Sequence, residues 1–191
     1  RKDTKKEKKN GLDRRYCESM YVSSYNNGVF TTPRIFTIPD LGKDSHFRKG
    51  GESVVSASAD GNTLYIFRGG KLYEANINDS TKGEHMMSKT INFSHLQGHA
   101  FVSNDGKMLL FTSESEKGRG GTDIYKSIKD ENGNWSDPQL LPYFINTDYN
   151  EDAPFLTADG TLFFASNGLP GYGGYDVYKT HYENGQWTQP E

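Results

Sequence analysis

Carboxylates recur at fixed positions in this sequence, and their chemistry decides whether an enzyme is expected. Asp60, Asp105 and Asp159 each stand directly before a glycine, while Asp123 and Asp176 each follow a Gly-Gly-x triplet. A glycoside hydrolase needs two carboxyl groups that converge on one bond, about 5–10 Å apart. Carboxylates that recur in every repeat are instead typical of turn formers, whose side chains accept backbone N–H groups. We therefore predict a protein that is not an enzyme.

Calcium is the one cofactor whose ligands the sequence suggests. Asn146, Asp148, Asn150 and Asp152 alternate with other residues, which places oxygen ligands at every second position. A calcium loop of this kind also has a glycine at its sixth position and a glutamate at its twelfth. Those positions hold Glu151 and Thr157. We therefore expect no cofactor and no metal ligand, with calcium as the alternative.

Two glycine-rich segments are the candidate binding loops. Residues 168–175 contain Tyr172 and Tyr175, and their counterpart, residues 114–121, contains Arg119. The tyrosine rings could stack on a sugar or hold a segment of a partner protein. They could equally cover a neighbouring part of the same chain. Tyr172, Tyr175 and Arg119 are therefore the predicted binding residues.

Composition favours short strands and excludes several classes of protein. The 191 residues are 33% hydrophobic and 13% aromatic, with 21 glycines, which is typical of strands and tight turns. No apolar run approaches the roughly 20 residues of a membrane-spanning helix, so we expect no membrane span in this segment. Cys17 is the single cysteine, which excludes an internal disulfide and favours a buried structural thiol.

The charge is divided between a basic start and an acidic body. Residues 1–9 carry a net charge of +4, whereas the remainder carries −7. We interpret residues 1–11 as a charged, solvated linker. Nucleic-acid binding would need a stripe of Lys and Arg on the folded part, so we expect no nucleic-acid partner.

Three short motifs recur in one order along the chain. The Asp-Gly pair recurs at spacings of 45 and 54 residues, and each time an apolar strand follows. Tyr73, Tyr125 and Tyr178 then follow at spacings of 52 and 53, and Trp135 and Trp187 lie 52 apart. Three elements in one order at one period indicate a structural repeat.

Each repeat predicts four antiparallel strands. Gly61, Gly106 and Gly160 would supply the positive φ that a hairpin turn needs, and Asn-Gly pairs at 132–133 and 184–185 would form a second turn. Four strands in about 50 residues make one blade of a β-propeller. We therefore predict an all-β partial propeller over residues 49–191, with blades at 52–95, 98–145 and 150–191 and a connection at 95–98. Trp135 and Trp187 would begin the outermost strands, with their rings between neighbouring blades.

The remaining segment and the blade number leave alternatives open. Residues 12–48 contain two strand-like runs, 16–24 and 28–38, which predict an N-terminal outer hairpin or an irregular blade. Propellers close with about four to eight blades, so three do not complete a ring. We expect part of a longer propeller; the alternative is a free-standing oligomer, which would form a defined dimer.

Residues 146–155, 158–168 and 171–178 resemble the PD-type propeller repeat related to TolB, in the version abundant in envelope proteins of Bacteroidota. The resemblance covers roughly residues 50–191. It departs from the pattern where Ala59, Asn104 and Ala158 replace a proline before the Asp-Gly turn. It departs again where residues 69–72 lack the Gly-Gly-x-Asp motif.

In that family the repeat commonly precedes an OmpA-like, peptidoglycan-binding domain, as in the peptidoglycan-associated component of the type IX secretion and gliding machinery. The resemblance therefore implies a non-catalytic scaffold of the periplasm, associated with the outer membrane. Its partners would be other envelope or secretion-system proteins, and it would reach peptidoglycan only through a domain outside this sequence. The alternative function is a carbohydrate-active or glycan-binding propeller.

Overall fold

The computed structural model describes residues 20–36, 52–79 and 83–191, which form sixteen strands and no helix. The predicted linker 1–11 and Cys17 lie outside the described residues, as do parts of the two N-terminal runs. Within the described ranges we find no helical segment with the length and apolarity of a membrane span.

Three four-stranded antiparallel sheets account for most of the described chain. In each sheet the strands pair in sequence order, so each sheet is a meander. Sheet I contains β5 to β8, sheet II contains β9 to β12, and sheet III contains β13 to β16. The strands are β5 (Glu52–Ala57), β6 (Thr63–Arg68), β7 (Lys71–Asn76), β8 (Glu84–Met86), β9 (His95–Val102), β10 (Met108–Glu114), β11 (Thr122–Ile128), β12 (Gln139–Leu140), β13 (Glu151–Leu156), β14 (Thr161–Ser166), β15 (Asp176–Glu183) and β16 (Gln186–Trp187).

A small hairpin precedes the sheets. Its strands are β1 (Tyr21–Val22), β2 (Tyr25–Asn26), β3 (Val29–Phe30) and β4 (Arg34–Ile35), with β1 paired to β4 and β2 to β3. Asn27 and Gly28 form its turn with positive φ values of 50° and 85°, as a two-residue hairpin turn requires. A hairpin therefore spans residues 20–36, within the predicted N-terminal segment 12–48.

The turns and loops explain the uneven spacing of the repeat. In sheets I and II the Asp-Gly turn joins Ser58 to Thr63 and Ser103 to Met108, whereas in sheet III it joins Thr157 to Thr161 and is one residue shorter. Between the second and third strands, sheet I needs only the Gly69-Gly70 turn, while sheets II and III have long glycine loops. Strand β9 also begins at His95, because His95 and Leu96 pair with β10, so residues 95–98 are part of a strand rather than a simple connection.

The sheets stack face to face, and two apolar cores fill the spaces between them. We call the face of each sheet that is turned toward the preceding element its leading face, and the opposite one its trailing face. The core between sheets I and II includes Tyr65, Leu72, Leu109, Phe111 and Tyr125. The core between sheets II and III includes Leu110, Ile124, Leu162, Phe164 and Trp187. Alternation along the strands produces this arrangement, because neighbouring residues point to opposite faces.

The first strands of the three sheets lie next to one another along one edge of the stack. Ser56 Oγ on β5 accepts the Val102 N–H of β9 at 3.0 Å, and Phe101 on β9 packs edge-on against Phe155 on β13 with ring centroids 5.1 Å apart. Sheets whose first strands share one edge and whose faces pack in sequence are consecutive blades of a propeller. The predicted all-β partial propeller is therefore confirmed.

Candidate functional site

The two ends of the stack carry different kinds of connection. The Asp-Gly and Asn-Gly turns lie at one end, whereas the glycine loops and the links between sheets lie at the other, which we call the loop end. At the loop end Gly121 N–H donates to Tyr149 O at 2.7 Å, and Thr122 N–H donates to Asn150 Oδ1 at 3.1 Å. The glycine loop of sheet II is thereby fixed to the link between sheets II and III.

Asp123 and Asp176 hold the two glycine loops. Asp123 Oδ2 accepts the N–H groups of Arg119 and Gly120 at 2.8 and 3.3 Å. Asp176 Oδ2 accepts those of Tyr172 and Gly173 at 2.9 and 3.0 Å. The Gly-Gly-x-Asp motif is thus a local device in which the carboxylate closes the loop that precedes it.

Glycine is required where these loops approach the carboxylates. A Cβ atom at Gly118 would overlap Asp123 Oδ2, and one at Gly171 would overlap Asp176 Oδ2. The composition of each loop therefore follows from the carboxylate that closes it.

The two aspartates differ in burial. Asp123 is fully buried, and its Oδ1 atom has no hydrogen-bond partner among the described residues. Burial raises the pKa of Asp123 above its usual range, while the two N–H donors oppose the shift. Asp176, in contrast, is only half-buried.

The tyrosines that follow these aspartates also differ. The Tyr178 hydroxyl lies within hydrogen-bond distance of two backbone carbonyls, Leu169 O at 3.1 Å and Pro170 O at 2.8 Å. It therefore stabilises the loop of sheet III. Tyr125 is buried between sheets I and II. Burial raises the pKa of Tyr125, and the side chain of Ser115 opposes the shift.

Exposed aromatic side chains gather at the loop end. Tyr172 is fully exposed, and Tyr143 and Tyr149 are 66% and 61% exposed. Arg119 lies with its guanidinium 5.7 Å from the Tyr143 ring and with Nε 3.6 Å from Asp148 Oδ1. We call Arg119, Tyr143, Tyr149, Tyr172 and Tyr175 the tyrosine surface. Two of these five residues, Tyr143 and Tyr149, were not among the predicted binding residues.

Tyr175, in the same loop as Tyr172, is 52% exposed. Burial raises its pKa, as do the nearby carboxylates of Asp152 and Glu151.

The aspartates of the opposite end are bonded to their own turns. Asp60, Asp105 and Asp159 each accept a hydroxyl hydrogen bond from the residue two positions earlier and a backbone N–H from the residue two positions later. These bonds, led by the hydroxyl donor, lower the pKa of all three carboxyl groups. Gly61, Gly106 and Gly160 have φ values of 70°, 71° and 86°. The Asp-Gly pairs thus make the contacts that turn formation requires.

The two tryptophans contact different cores. Trp187 in β16 is buried in the core between sheets II and III. The backbone of Trp135 pairs with that of Lys129 in an isolated antiparallel β-bridge. Its ring packs against the core between sheets I and II, and the Lys129 ammonium lies 4.6 Å from the ring.

The four candidate calcium ligands contact different partners. Asn146 bonds to the backbone of β11, and Asn150 accepts Thr122 N–H. Asp148 faces Arg119, and Asp152 Oδ1 lies 2.7 Å from His99 Nδ1. Among the described residues no group of three or more His, Cys, Asp or Glu side chains is placed to hold a metal ion.

Glu151 is the other buried carboxylate of this region. It accepts Thr147 N–H at 2.7 Å, the Thr147 hydroxyl at 2.8 Å and the Ser166 hydroxyl at 2.6 Å. Its burial raises the pKa of Glu151, and these donors oppose the shift. Both oxygens are occupied, so the group ties the link between sheets to β14.

Two further contacts were not predicted. Asn92 and Asn146 are buried and make the same three hydrogen bonds, to the N–H and C=O of Leu72 or Ile124 and to one further carbonyl. The Ile-Asn pair at 91–92 and 145–146 is the sequence signal for them. The His99–Asp152 contact joins the first strands of sheets II and III, at a bulge where Ala153 has a φ of 51°.

A solved structure of TolB supports this architecture. The chain is similar to TolB from Acinetobacter baumannii, with 16% identity and a TM-score of 0.56, over 83% of this chain and 34% of that one. A putative TolB from Agrobacterium tumefaciens gives 16% identity and a TM-score of 0.48, over 74% of this chain and 46% of that one. No protein-family model and no curated protein matches the chain.

The likeness to TolB is one of fold. The chain spans about a third of the length of the Acinetobacter protein. At this identity the comparison supports the propeller architecture that the sheet stacking establishes, and a fold of this kind serves many functions.

Proposed function

We propose that this chain is a non-catalytic, protein-binding propeller module that binds partner proteins through the tyrosine surface. The observation that carries the proposal is the set of exposed tyrosines at the loop end, together with Arg119, which lies against the Tyr143 ring. Tyrosine and arginine are enriched among the residues that contribute most to protein–protein binding. Exposed aromatic groups that cluster on one end of a domain are typical of an interaction site.

The loops beneath this surface are held in place before binding. Asp123 and Asp176 close the glycine loops, and Asn150 joins the loop of sheet II to the link between sheets. Binding to a loop that is already ordered costs less conformational entropy than binding to a mobile one. This supports a surface that recognises a partner without large rearrangement.

The carboxylates support a role without catalysis. Asp60, Asp105 and Asp159 are bonded to their own turns, and Glu151 is bonded to Thr147 and Ser166. Each of these groups has a structural contact that accounts for its presence.

We further propose that the module works in the periplasm as part of a larger envelope protein associated with the outer membrane. Its partners would be other envelope or secretion-system proteins, in the type IX secretion or gliding machinery. The resemblance of residues 146–178 to the envelope version of the PD-type repeat supports this placement, and the fold likeness to TolB agrees with it. Contact with peptidoglycan would need a domain outside this sequence.

Glycan binding is the second candidate, favoured by the fully exposed Tyr172 ring. An unobstructed aromatic face is suited to stacking on a sugar ring. The same substitutions test both candidates, because both use the tyrosine surface.

The test compares two double variants of the purified protein. Tyr149→Ala with Tyr172→Ala removes half of the exposed rings at the loop end, and Tyr21→Ala with Tyr25→Ala removes two tyrosines of the hairpin that are each 62% exposed. Each protein is immobilised and exposed to an envelope extract of its source, and retained proteins are identified by mass spectrometry. We expect specific proteins to be lost with the loop variant and retained with the hairpin variant.

Equal retention by both variants would contradict the proposal. Retention of soluble peptidoglycan or polysaccharide fragments by the wild type, lost with the loop variant and without any bound protein, would favour the glycan candidate instead.

A further inference from the structure

The trailing face of sheet III has the same residue pattern as the trailing faces of sheets I and II, which the next sheet covers. Pairing across the strands gives the equivalent positions: Phe67 pairs with Leu72, Thr112 with Ile124, and Ala165 with Val177. Leu72 and Ile124 are 1% and 0% exposed because the next sheet covers them, whereas Val177 is 73% exposed.

A second set of equivalent positions on the same face shows the same difference in burial. These positions lie two residues earlier on the second strand of each sheet and hold Tyr65, Leu110 and Phe163. Tyr65 and Leu110 are buried, and Phe163 is only partly covered. Phe155 beside it on β13 is also exposed. The face therefore has the apolar pattern of a sheet-to-sheet interface without the second sheet.

At one equivalent position of the third strand, a charged side chain contacts the next sheet in both existing interfaces. Glu74 on sheet I lies 3.7 Å from Lys129 of sheet II, and Lys126 on sheet II lies 5.2 Å from the Tyr182 ring of sheet III. Glu74, Lys126 and Lys179 are equivalent, since they pair with Tyr65, Leu110 and Phe163 respectively. Lys179, which is equivalent to Lys126, is half-exposed, and its ammonium lies 3.2 Å from Oε1 of Glu191, whose side chain is 76% exposed. This ion pair lies at the surface, where the equivalent groups of sheets I and II meet a neighbouring sheet.

We propose that the trailing face of sheet III binds a further four-stranded sheet of the same repeat type. Its leading face would carry two apolar residues, two positions apart, on its second strand and a tyrosine on its third. Leu109, Phe111 and Tyr125 form that pattern on sheet II, and Leu162, Phe164 and Tyr178 form it on sheet III. The continuity of this face with the two established interfaces identifies the occupant.

A second copy of the chain is a poorer occupant. The only other leading face in the described part of the chain that lies at an end of the stack is that of sheet I. There Ile66 and Ala75 are fully buried, with Met20 and Phe36 of the hairpin packed against them. Repeat proteins protect a terminal face in this way, so the part of the stack that the structure describes is capped at the hairpin and open at sheet III.

The test places a photo-crosslinking amino acid, p-benzoylphenylalanine, at Val177 in the natural protein within its source cells. Because Val177 is exposed in the folded stack, the substitution leaves the three sheets intact. Crosslinked peptides are sequenced by mass spectrometry. We expect a crosslink to a strand with alternating Leu, Ile or Phe from a repeat outside residues 20–191, in the same chain or another. The same probe at Glu131, an exposed residue of the turn end, should give no such product.

Three results would overturn the proposal. A crosslink to residues 20–36 or to sheets I–III of a second copy would show self-association instead. A crosslink to a protein without the repeat would show a different partner. Crosslinks confined to sheet III itself would show that the face is open to solvent. Loss of partner binding at the tyrosine surface is measured separately, so the two proposals fail independently.

Discussion

Replacing Asn146 by alanine tests whether the buried asparagines hold the stack together. Asn146 is fully buried in the link between sheets II and III. Its Oδ1 accepts Ile124 N–H at 2.8 Å, and its Nδ2 donates to Ile124 O at 2.9 Å and Leu141 O at 3.2 Å. Alanine removes all three hydrogen bonds and leaves one backbone donor and two carbonyls without this partner.

The expected loss follows from those three bonds. Each buried hydrogen bond contributes roughly 1 kcal/mol net, and an unsatisfied buried partner adds about 1–3 kcal/mol. We therefore expect Asn146→Ala to lower the free energy of unfolding by about 3–4 kcal/mol. That is a large part of the roughly 5–15 kcal/mol that stabilises a typical domain.

Urea denaturation at neutral pH measures this loss. With a slope of about 2 kcal/mol per molar urea, the midpoint should fall by roughly 1.5–2 M. Asn92→Ala should give a similar loss, because Asn92 makes the same three bonds to Leu72 and Met87. Asn104→Ala is the matched control, since Asn104 is an exposed residue of a turn and should change stability by less than about 0.5 kcal/mol.

Two outcomes would refute this reasoning. A loss below about 1 kcal/mol for Asn146→Ala would show that the hydrogen bonds contribute little beyond what water supplies. A control variant as unstable as Asn146→Ala would show that any asparagine substitution in this chain has the same effect.

Further substitutions and one ligand test address other features. Burial raises the pKa of Asp123, so its ionisation costs stability as the pH rises through the folded pKa; Asp123→Asn should therefore stabilise the protein more at pH 7 than at pH 3, and an equal effect at both would contradict this. Trp187→Ala should cost about 3–4 kcal/mol because the ring fills the core between sheets II and III, and a cost under 1 kcal/mol would argue against that packing. Adding calcium or a chelator should leave the Tm unchanged within about 1 °C, whereas a rise with calcium concentration would indicate a site.

The sequence predicted the sheets because their turns have a strong local signal. Asp60, Asp105 and Asp159 each begin a glycine turn, and such turns fix the strands on either side. The register of the strands was harder to predict, because the Asp159 turn is one residue shorter than the other two. That difference shifts which residues of β14 face sheet II, so Leu162 and Phe164 are buried although the Asp-Gly alignment alone would place Phe163 there.

The contacts between sheets were not predictable in the same way. His99 and Asp152 are 53 residues apart, and their contact depends on bulges in β9 and β13 that turn the side chains toward each other. Asn92 and Asn146 recur only as a short Ile-Asn pair without glycine, so their role becomes visible when the strand backbones that they bond are in place. The surface position of Tyr172 and Arg119 could be predicted from the sequence, because glycine loops between strands lie at the surface.

The distribution of loop length within the repeat explains why the tyrosine surface belongs to sheets II and III. The first sheet joins its second and third strands by Gly69 and Gly70 alone, both with positive φ. Sheets II and III insert a longer loop at that point, and each loop is closed by its own aspartate, Asp123 or Asp176. The insertion leaves the strand pairing unchanged, because it lies beyond the last paired residues of β10 and β14. A change in loop length at this end can therefore create a binding surface without altering the cores, which is why we place recognition there and not at the uniform turns of the opposite end.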